Sequence, residues 1–460
     1  MTLISSISGI RGTIGGAIGD NLTPVDIVNY TSAYAAFMKK QSGRPKVVVG
    51  RDGRSTGATV KKLITGTLLM SGVDVVDIDY TTTPTIEMAI IRLHAEGGIM
   101  ISASHNPMQW NALKLLNGDG EFISAQDGND IKTLIEEHDF HYCGHAENGQ
   151  LIVVDDMIDY HIDKILELPY VDVEAIRSKH FRVAVDTINS TGSISVKKLL
   201  IRLGVNEKDI FCINDEMNGT FAHNPEPLEA NLTDLGDVIT SNHCHLGIAV
   251  DPDVDRLAFM QENGKYFGEE YTIVACADYV LSQKPGSTVS NLSSSRALRD
   301  VTTKYGEKYY ASAVGEVNVV KQMKAVSAII GGEGNGGVIL PELHYGRDAL
   351  LGIALMLSYL AKNKLTMSQL RALYPSYYMA KKKINLKAGV KFADIKDIVK
   401  KHCEGVYNEE DGLKIDFDNS WVHLRTSNTE PIIRIYTEAK TVEESESLAQ
   451  KVMKMVEDNM

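Results

Sequence analysis

The chain of 460 residues has few cysteines, no long apolar run and a shortage of positive charge. Its five cysteines are an odd number without a CxxC pair, which argues against a disulfide framework or a zinc knuckle. No stretch approaches the ~18 apolar residues of a membrane span, and the start MTLISSISGIRG lacks the features of a signal peptide. The net charge of -13 disfavours a general nucleic-acid-binding protein. We therefore expect a cytoplasmic protein that binds neither nucleic acid nor membranes, in which a local basic cluster binds any anionic ligand.

A repeated pattern predicts the domain organisation. KVVVGRDGRSTGATVKKL (46–63) resembles RVAVDTINSTGSISVKKL (182–199) and, more loosely, STVSNLSSSRALRDV (287–301). Each copy is typical of a buried strand, a loop with a helix-capping Ser or Thr, and an amphipathic helix. We expect three related α/β domains with mixed, mostly parallel sheets. Hairpin-like strands and helices after about residue 380 predict a C-terminal α+β domain, so the expected domains are 1–153, 154–257, 258–374 and 375–460.

The segment DPDVDR follows a predicted buried strand and contains Asp251, Asp253 and Asp255. In an extended segment alternate side chains face the same side, so the three carboxylates are expected to converge. Like charges in one place are tolerated best around a cation, and oxygen ligands favour Mg²⁺. A solvated acidic turn is the alternative. The apolar strands on both sides favour a metal site.

The segment IIGGEGNGG has the G-x-G-x-x-G spacing, but no predicted helix begins directly after it, which disfavours a dinucleotide site. The loop instead presents Glu333 and Asn335, whose polar atoms suit sugar hydroxyls. A simple glycine turn remains open.

Basic residues on several loops could bind phosphate. RTSNTEPIIR brings together Arg425, Ser427, Asn428, Thr429 and Arg434, a set of donors suited to a dianion. A polar hairpin turn is the alternative for this segment. Arg11 and Arg54, on glycine-flanked loops near the N-terminus, could contribute further charge.

The segment ISASHNP follows an apolar strand with Ser104, His105 and a proline turn. A hydrolase serine is disfavoured, because there is no G-x-S-x-G and no recognisable triad order. A serine hydroxyl near a carboxylate-bound cation and arginines suits phosphoryl transfer, which depends on positioning and charge neutralisation.

These four segments, in this order, resemble the signature loops of the α-D-phosphohexomutases along essentially the whole chain. SASHNP resembles the phosphoserine loop, DPDVDR the magnesium loop, GEGNGG the sugar-specificity loop and RTSNTEPIIR the phosphate-binding loop. The resemblance implies a heart-shaped, four-domain enzyme that is a monomer or homodimer. It also implies that phosphorylated Ser104 interconverts a hexose 6-phosphate and a hexose 1-phosphate through a hexose 1,6-bisphosphate.

The resemblance further implies roles for individual residues. Mg²⁺ would be bound by the three aspartates and a phosphoserine oxygen of Ser104, and Arg256 would contact the substrate. His105 and Lys114 would transfer protons at the sugar hydroxyl, with Arg54 assisting. Lys114 could do so only if burial and neighbouring cations lowered its pKa.

The loop GEGNGG differs from the GEMSGH and GEQSGH of many family members, and NALK stands where NGIK is more usual. The substituent at C2 of the sugar is therefore open between glucosamine, glucose and mannose, and metabolic context favours glucosamine phosphate. A metal-dependent phosphatase and a non-catalytic phosphosugar-binding protein are the alternatives from other functional classes.

Overall fold

The computed structural model describes residues 2–6, 9–386, 391–426 and 432–459. Within these residues the strands form four sheets that follow one another along the chain. The first three sheets are mixed and packed with helices, and the fourth is antiparallel. The predicted architecture of three α/β domains and a C-terminal α+β domain is confirmed.

The first sheet has the strand order β1-β2-β6-β5-β3-β4-β7. Its elements are β1 (Ile4–Ser6), β2 (Gly9–Thr13), α1 (Pro24–Gln41), β3 (Lys46–Arg51), α2 (Gly57–Met70), β4 (Asp74–Tyr80), α3 (Thr83–Leu93), β5 (Gly97–Ile101), β6 (Trp110–Asn117), α4 (Ala125–Glu137) and β7 (Leu151–Val153). Strands β3 and β5 are parallel neighbours, whereas β5 and β6 are antiparallel. Because parallel strands end at the same edge, the loop after β3 lies beside the loop after β5.

The second sheet has the order β11-β10-β8-β9 and the third β13-β12-β14-β15. The second comprises α5 (Met157–Leu166), α6 (Val173–Lys179), β8 (Val183–Asp186), α7 (Gly192–Arg202), β9 (Ile210–Ile213), α8 (Thr233–Ser241), β10 (Leu246–Val250) and β11 (Leu257–Gln261). The third comprises α9 (Glu269–Leu281), β12 (Thr288–Asn291), α10 (Ala297–Lys304), β13 (Tyr309–Ser312), α11 (Glu316–Val326), β14 (Ile330–Glu333), β15 (Gly337–Ile339), α12 (Ala349–Asn363) and α13 (Met367–Ala372). All three copies of the sequence repeat form a strand, a loop and a helix.

The second and third sheets share one hydrophobic core. Helix α12 is apolar on all sides, and its residues from Ala349 to Leu360 are all buried. A helix of this kind belongs inside a large core rather than on a surface. Its side chains pack in the same cluster as Val183 of β8, Ile248 of β10 and Ile330 of β14. These two domains therefore form one packed unit.

The fourth sheet is antiparallel throughout, with the order β16-β20-β19-β18-β17. Its elements are β16 (Tyr378–Asn385), α14 (Phe392–His402), β17 (Val406–Asn408), β18 (Leu413–Asp416), β19 (Trp421–Thr426), β20 (Ile432–Ala439) and α15 (Val442–Glu457). Helix α15 buries Val452 and Val456 against the sheet. Among the described helices, none is long and apolar enough to cross a membrane.

The hydroxyls of the repeated STG sequence do not cap their helices as the sequence predicts. Thr56 and Thr191 occupy the N-cap positions of α2 and α7, but neither side chain bonds to the first turn. In the second copy, Ser190 Oγ and Thr191 Oγ1 instead donate to the carbonyl of Pro252, at 2.6 and 2.9 Å. The repeat loop therefore anchors the segment that contains the three aspartates.

Candidate active site

Ser104 lies in a strained loop immediately after β5. Its φ of +48° is in the left-handed region, which is unfavourable for a residue with a side chain and occurs where the surroundings enforce it. Its backbone N–H donates to Ser102 Oγ at 2.9 Å, and its own Oγ donates to Asp251 Oδ2 at 2.6 Å. The serine hydroxyl is therefore aimed at the second domain.

Arg54 is the residue that fixes this loop. Its side chain is fully buried, and Nε donates to Asp52 Oδ2 at 3.0 Å. The two Nη atoms donate, at 2.6 to 3.0 Å, to four carbonyls of the serine loop, those of Ser104, Asn106, Pro107 and Trp110. A guanidinium has five N–H groups, and all of them are used. Arg54 therefore has no N–H left for a substrate in this structure, and its assistance in proton transfer stays a prediction.

The three carboxylates of DPDVDR meet in the tight loop between β10 and β11. Each of Asp251, Asp253 and Asp255 is fully buried, and one oxygen from each lies within 4.8 Å of the others. The loop is a turn, not the extended segment that the sequence predicts, and Val254 has a φ of +62°. The carboxylates therefore converge because the backbone curls around them.

Two of the carboxylate oxygens lack a hydrogen-bond partner and could bind a cation. Asp253 Oδ1 and Asp255 Oδ1 are buried and have no hydrogen-bond partner. Buried polar atoms are almost always paired, so such orphans indicate a missing ligand. Oxygen donors from three carboxylates suit a hard divalent ion, and the residues present fit Mg²⁺.

The same carboxylates have different titration behaviour. Burial, followed by the charges of Asp255 and Asp253, raises the pKa of Asp251 well above its ordinary value. Burial would also raise the pKa of Asp255, but the cations Arg347 and Lys114 lower it below the ordinary value. The cluster therefore combines a carboxyl that resists ionisation with one that favours it.

Lys114, on β6, is an ion-pair partner of this cluster. Its Nζ lies 2.5 Å from Asp253 Oδ2 and 3.6 Å from Asp255 Oδ2. Burial lowers the pKa of Lys114, but Asp253 and Asp255 outweigh burial and raise the pKa above its ordinary value. This direction is opposite to the lowering that the sequence interpretation requires, because the neighbours are carboxylates and not cations.

His105 lies beside the serine hydroxyl, with Nδ1 3.4 Å from Ser104 Oγ. Burial, then the charge of Arg256, lowers the pKa of His105 to about 2. The imidazole is therefore neutral at physiological pH and can act as either donor or acceptor.

Arginines from three domains influence one another electrostatically at this site. Burial, followed by the positive charges of Arg256 and Arg434, lowers the pKa of Arg11. Arg425 and Arg434 are direct cross-strand partners on β19 and β20, a pairing that is unfavourable for like charges. The Nε atoms of Arg11 and Arg256 are buried without a partner. An anion is the ligand that would satisfy this arrangement.

The predicted phosphate-binding residues Ser427, Asn428 and Thr429 lie outside the described residues. Arg425 and Arg434 are the two members of the predicted set that the structure describes. Arg256 also bonds through Nη1 to Glu226 Oε1 at 3.0 Å, so it is held by its own domain.

The loop GEGNGG is the tip of a hairpin in which Glu333 pairs with Gly337, so no helix follows it. Glu333 is buried, and its oxygens accept from Asn291 Nδ2, from the Gly315 amide and from Arg347 Nη1. Asn335 Oδ1 accepts from the Gly337 amide at 3.3 Å. These three hydrogen bonds leave about one of the four acceptor sites of the Glu333 carboxylate for a sugar hydroxyl.

Arg347 is a site residue that the sequence analysis missed. It donates to Asp255 Oδ2 at 2.7 Å, to Glu333 Oε2 at 3.0 Å and to Glu316 Oε2 at 3.0 Å. It thus links the aspartate loop to the GEGNGG loop. A lone arginine in HYGRDA gives little signal in the sequence, because its three partners are distant along the chain.

Comparisons with known proteins agree with this arrangement. Models described as phosphoglucomutase/phosphomannomutase alpha/beta/alpha domains I, II and III and C-terminal domain match residues 4–142, 159–264, 268–377 and 382–455. The chain is 34% identical to the phosphoglucomutase/phosphomannomutase of Thermococcus kodakarensis, over 97% of this chain and 98% of that protein. It is 32% identical to the phosphoglucosamine/phosphogalactosamine mutase of Sulfurisphaera tokodaii, over 97% and 98% of the two chains.

Among solved structures, a phosphoglucomutase/phosphomannomutase family protein from Burkholderia thailandensis has the same fold. The TM-score is 0.84 at 22% identity, with 99% of this chain and 98% of that chain covered. The matched domains, the relatives and the assembled site together show that this chain is an enzyme, an isomerase, of the phosphoglucomutase/phosphomannomutase family of phosphohexomutases.

Proposed function

We propose that this enzyme interconverts a hexose 6-phosphate and a hexose 1-phosphate by way of a phosphorylated Ser104. The observation that supports this most strongly is the hydrogen bond from Ser104 Oγ to Asp251 Oδ2, which puts the serine against a buried carboxylate cluster. A nucleophile, a cation-binding group and a set of facing arginines are the parts that phosphoryl transfer requires.

The reaction consists of two transfers through one serine. In the first, the bond between phosphorus and Ser104 Oγ breaks as phosphorus bonds to the free sugar hydroxyl; that hydroxyl loses its proton, and Ser104 Oγ gains one to become a hydroxyl again. The resulting hexose 1,6-bisphosphate then reverses its orientation. In the second, the bond between the other phosphoryl group and its sugar oxygen breaks as that group bonds to Ser104 Oγ; the serine hydroxyl loses its proton, and the freed sugar oxygen gains one.

The residues around Ser104 have different roles in these two transfers. Asp251, Asp253 and Asp255, with a phosphoserine oxygen, would hold Mg²⁺, which supplies charge neutralisation for the transferring group when bound. Arg11, Arg256, Arg425 and Arg434 bind the phosphate that is not reacting, whichever end of the sugar it occupies. We assign proton transfer at the hydroxyl to His105. The raised pKa of Lys114 keeps its amine protonated, so we assign Lys114 the role of a proton donor there and not of a base. Arg54 holds the serine loop in place.

We further propose that the preferred substrate is glucosamine phosphate. The relative from Sulfurisphaera tokodaii supports this choice by its name, whereas that of the relative from Thermococcus kodakarensis favours glucose or mannose phosphate. We assign recognition of the C2 substituent to Asn335, and its position at the tip of the GEGNGG hairpin, between Gly334 and Gly336, supports this assignment.

A side-by-side comparison of kcat/KM for glucosamine, glucose and mannose 6-phosphates tests the activity and the sugar together. The proposal predicts turnover that requires Mg²⁺ and is highest for glucosamine 6-phosphate. Ser104→Ala is the matched control, which should lose turnover and still bind the phosphosugar. Steady release of inorganic phosphate by both proteins would instead identify a phosphatase that does not need Ser104.

A further inference from the structure

A second group of potential metal ligands lies where the first, second and third domains meet. His161 on α5, His344 in the loop before α12 and Asp348 at the N-cap of α12 are all buried. Their ligand atoms lie within 4.8 Å of one another. Asp348 Oδ2 is 2.8 Å from His161 Nε2 and 3.3 Å from His344 Nε2. We call these three residues the histidine cluster.

The far side of each imidazole ring is held in the way that metal-binding histidines usually are. His161 Nδ1 is hydrogen-bonded to Thr85 Oγ1 at 3.0 Å. His344 Nδ1 lies 3.1 Å from Glu87 Oε2, and it also accepts from the Gly346 amide at 3.1 Å. These groups fix the orientation of each ring, and metal binding requires that Nε2 give up its proton. Both Nε2 atoms of the cluster point at the same aspartate oxygen.

Glu87 is itself an unusual residue, because it is a buried carboxyl group whose oxygens lack a hydrogen bond of good geometry, although Oε2 lies 3.1 Å from His344 Nδ1. Gly346 makes its position possible, since a Cβ there would lie 1.6 Å from Glu87 Oε2. Burying an ionised carboxylate in this way costs free energy unless a positive charge lies close to it. A cation bound through His344 would supply that centre through the imidazole.

The two oxygens of Asp348 have different partners. Its Oδ1 accepts from the Leu351 amide at 3.1 Å and caps α12. Its Oδ2 is hydrogen-bonded to Nε2 of both rings. A bound ion would replace these two hydrogen bonds, and the cap of α12 would not compete with it.

We propose that His161 Nε2, His344 Nε2 and Asp348 Oδ2 bind a transition-metal ion of the zinc class at the junction of the three domains. Imidazole with carboxylate favours zinc and its neighbours in the first row over Mg²⁺. Ligands about 2 Å from such an ion in tetrahedral geometry lie roughly 3.3 Å from one another, close to the spacing of the cluster. This site is separate from the aspartates of the active site and goes beyond the mutase activity.

The ion has a structural role in this proposal. Asp348 directly follows Arg347, which bonds to Asp255, and Glu87 shares helix α3 with Thr83, which donates to Asp253 Oδ2. An ion that holds the histidine cluster in place would therefore also hold Arg347 and helix α3, both of which contact the aspartate loop. We expect the metal to raise the stability of the whole chain more than it changes the chemistry of transfer.

Cobalt substitution in the full-length protein tests this site. After treatment with a chelator, the protein is titrated with Co²⁺ in excess Mg²⁺, which occupies the aspartate site. The proposal predicts one Co²⁺ per chain with the intense visible absorption of tetrahedral coordination, and a rise in melting temperature of about 2–5 °C with Zn²⁺. A wild-type protein that gives neither the absorption nor the thermal shift overturns the proposal.

Three variants test whether the absorption and the thermal shift arise from the histidine cluster. Asp348→Asn removes the ligand charge while Asn still caps α12, and His161→Gln removes one imidazole; both should lose the absorption and the shift. His141→Gln is the matched control, because His141 is exposed in another histidine-rich segment, and it should keep both. Absorption that survives in Asp348→Asn and in His161→Gln contradicts the assignment. Circular dichroism and mutase activity of each variant report whether it is folded, and if one variant fails to fold the other decides.

Discussion

Replacing Arg54 by lysine separates a positioning role from a role in proton transfer. Arg54 is fully buried and its Nη atoms donate to four carbonyls of the serine loop. Lysine retains the charge but has three N–H groups on one atom, so it cannot reach carbonyls that the planar guanidinium spans. At least two charge-assisted bonds are lost.

Each such bond contributes about 1.5–3 kcal/mol, so Arg54→Lys should lower the free energy of unfolding by about 3–6 kcal/mol. Because the loop has a left-handed Ser104, its relaxation should also move Oγ away from Asp251 and lower kcat by about 100-fold or more. KM should change less, since Arg54 has no N–H left for a substrate.

Urea unfolding and the pH dependence of kcat provide the assay. A positioning role predicts lower kcat and lower stability with the same pH dependence. The matched control is Arg92→Lys, because Arg92 is partly exposed, bonds to Asp156 and stacks on Tyr160, and its loss should stay within about 1 kcal/mol. An altered pH dependence with unchanged stability would refute the reasoning and restore proton transfer to Arg54.

Three further variants test other parts of the site. Asp253→Asn removes one ligand charge and should raise the Mg²⁺ concentration for half-maximal activity by about tenfold or more; an unchanged Mg²⁺ titration would remove this residue from the metal site. Arg11→Ala should raise KM for hexose phosphates about tenfold or more, yet leave the melting temperature unchanged or higher, because it relieves repulsion with Arg256 and Arg434; a melting temperature several degrees lower would contradict this. Glu270→Gln tests a buried carboxyl whose pKa burial raises to about 8 from an ordinary value of 4.5. Between these pH values the unfolded chain has lost the proton and the folded chain keeps it, so wild-type stability falls as pH rises. The variant should therefore gain about 1–4 kcal/mol over wild type between pH 5 and pH 8 in urea unfolding, and a constant difference would contradict the assignment.

The sequence predicted those parts of the structure that depend on local pattern. Periodicity and the internal repeat predicted the strand, loop and helix of each α/β domain, because a buried strand and an amphipathic helix each have a local signature. The antiparallel C-terminal sheet followed from alternating segments such as WVHLRT in the same way.

The contacts that cross domains could not be predicted from one sequence. The Ser104 to Asp251 bond joins residues 147 positions apart, and Arg347 meets Asp255 across 92 positions. The same limit applies to the pKa of Lys114. Its type and position suggested a site lysine, but the direction of its pKa shift depends on which charges surround it after folding.

Intact-mass measurement of the protein is the most direct test of a phosphoserine enzyme. Wild-type protein incubated with Mg²⁺ and glucose 1,6-bisphosphate should gain the mass of one phosphoryl group, mapped to Ser104, and should lose it on addition of hexose 6-phosphate. Ser104→Ala should never gain that mass. A wild-type protein that carries no phosphoryl group under any of these conditions, while still interconverting hexose phosphates, would contradict the mechanism.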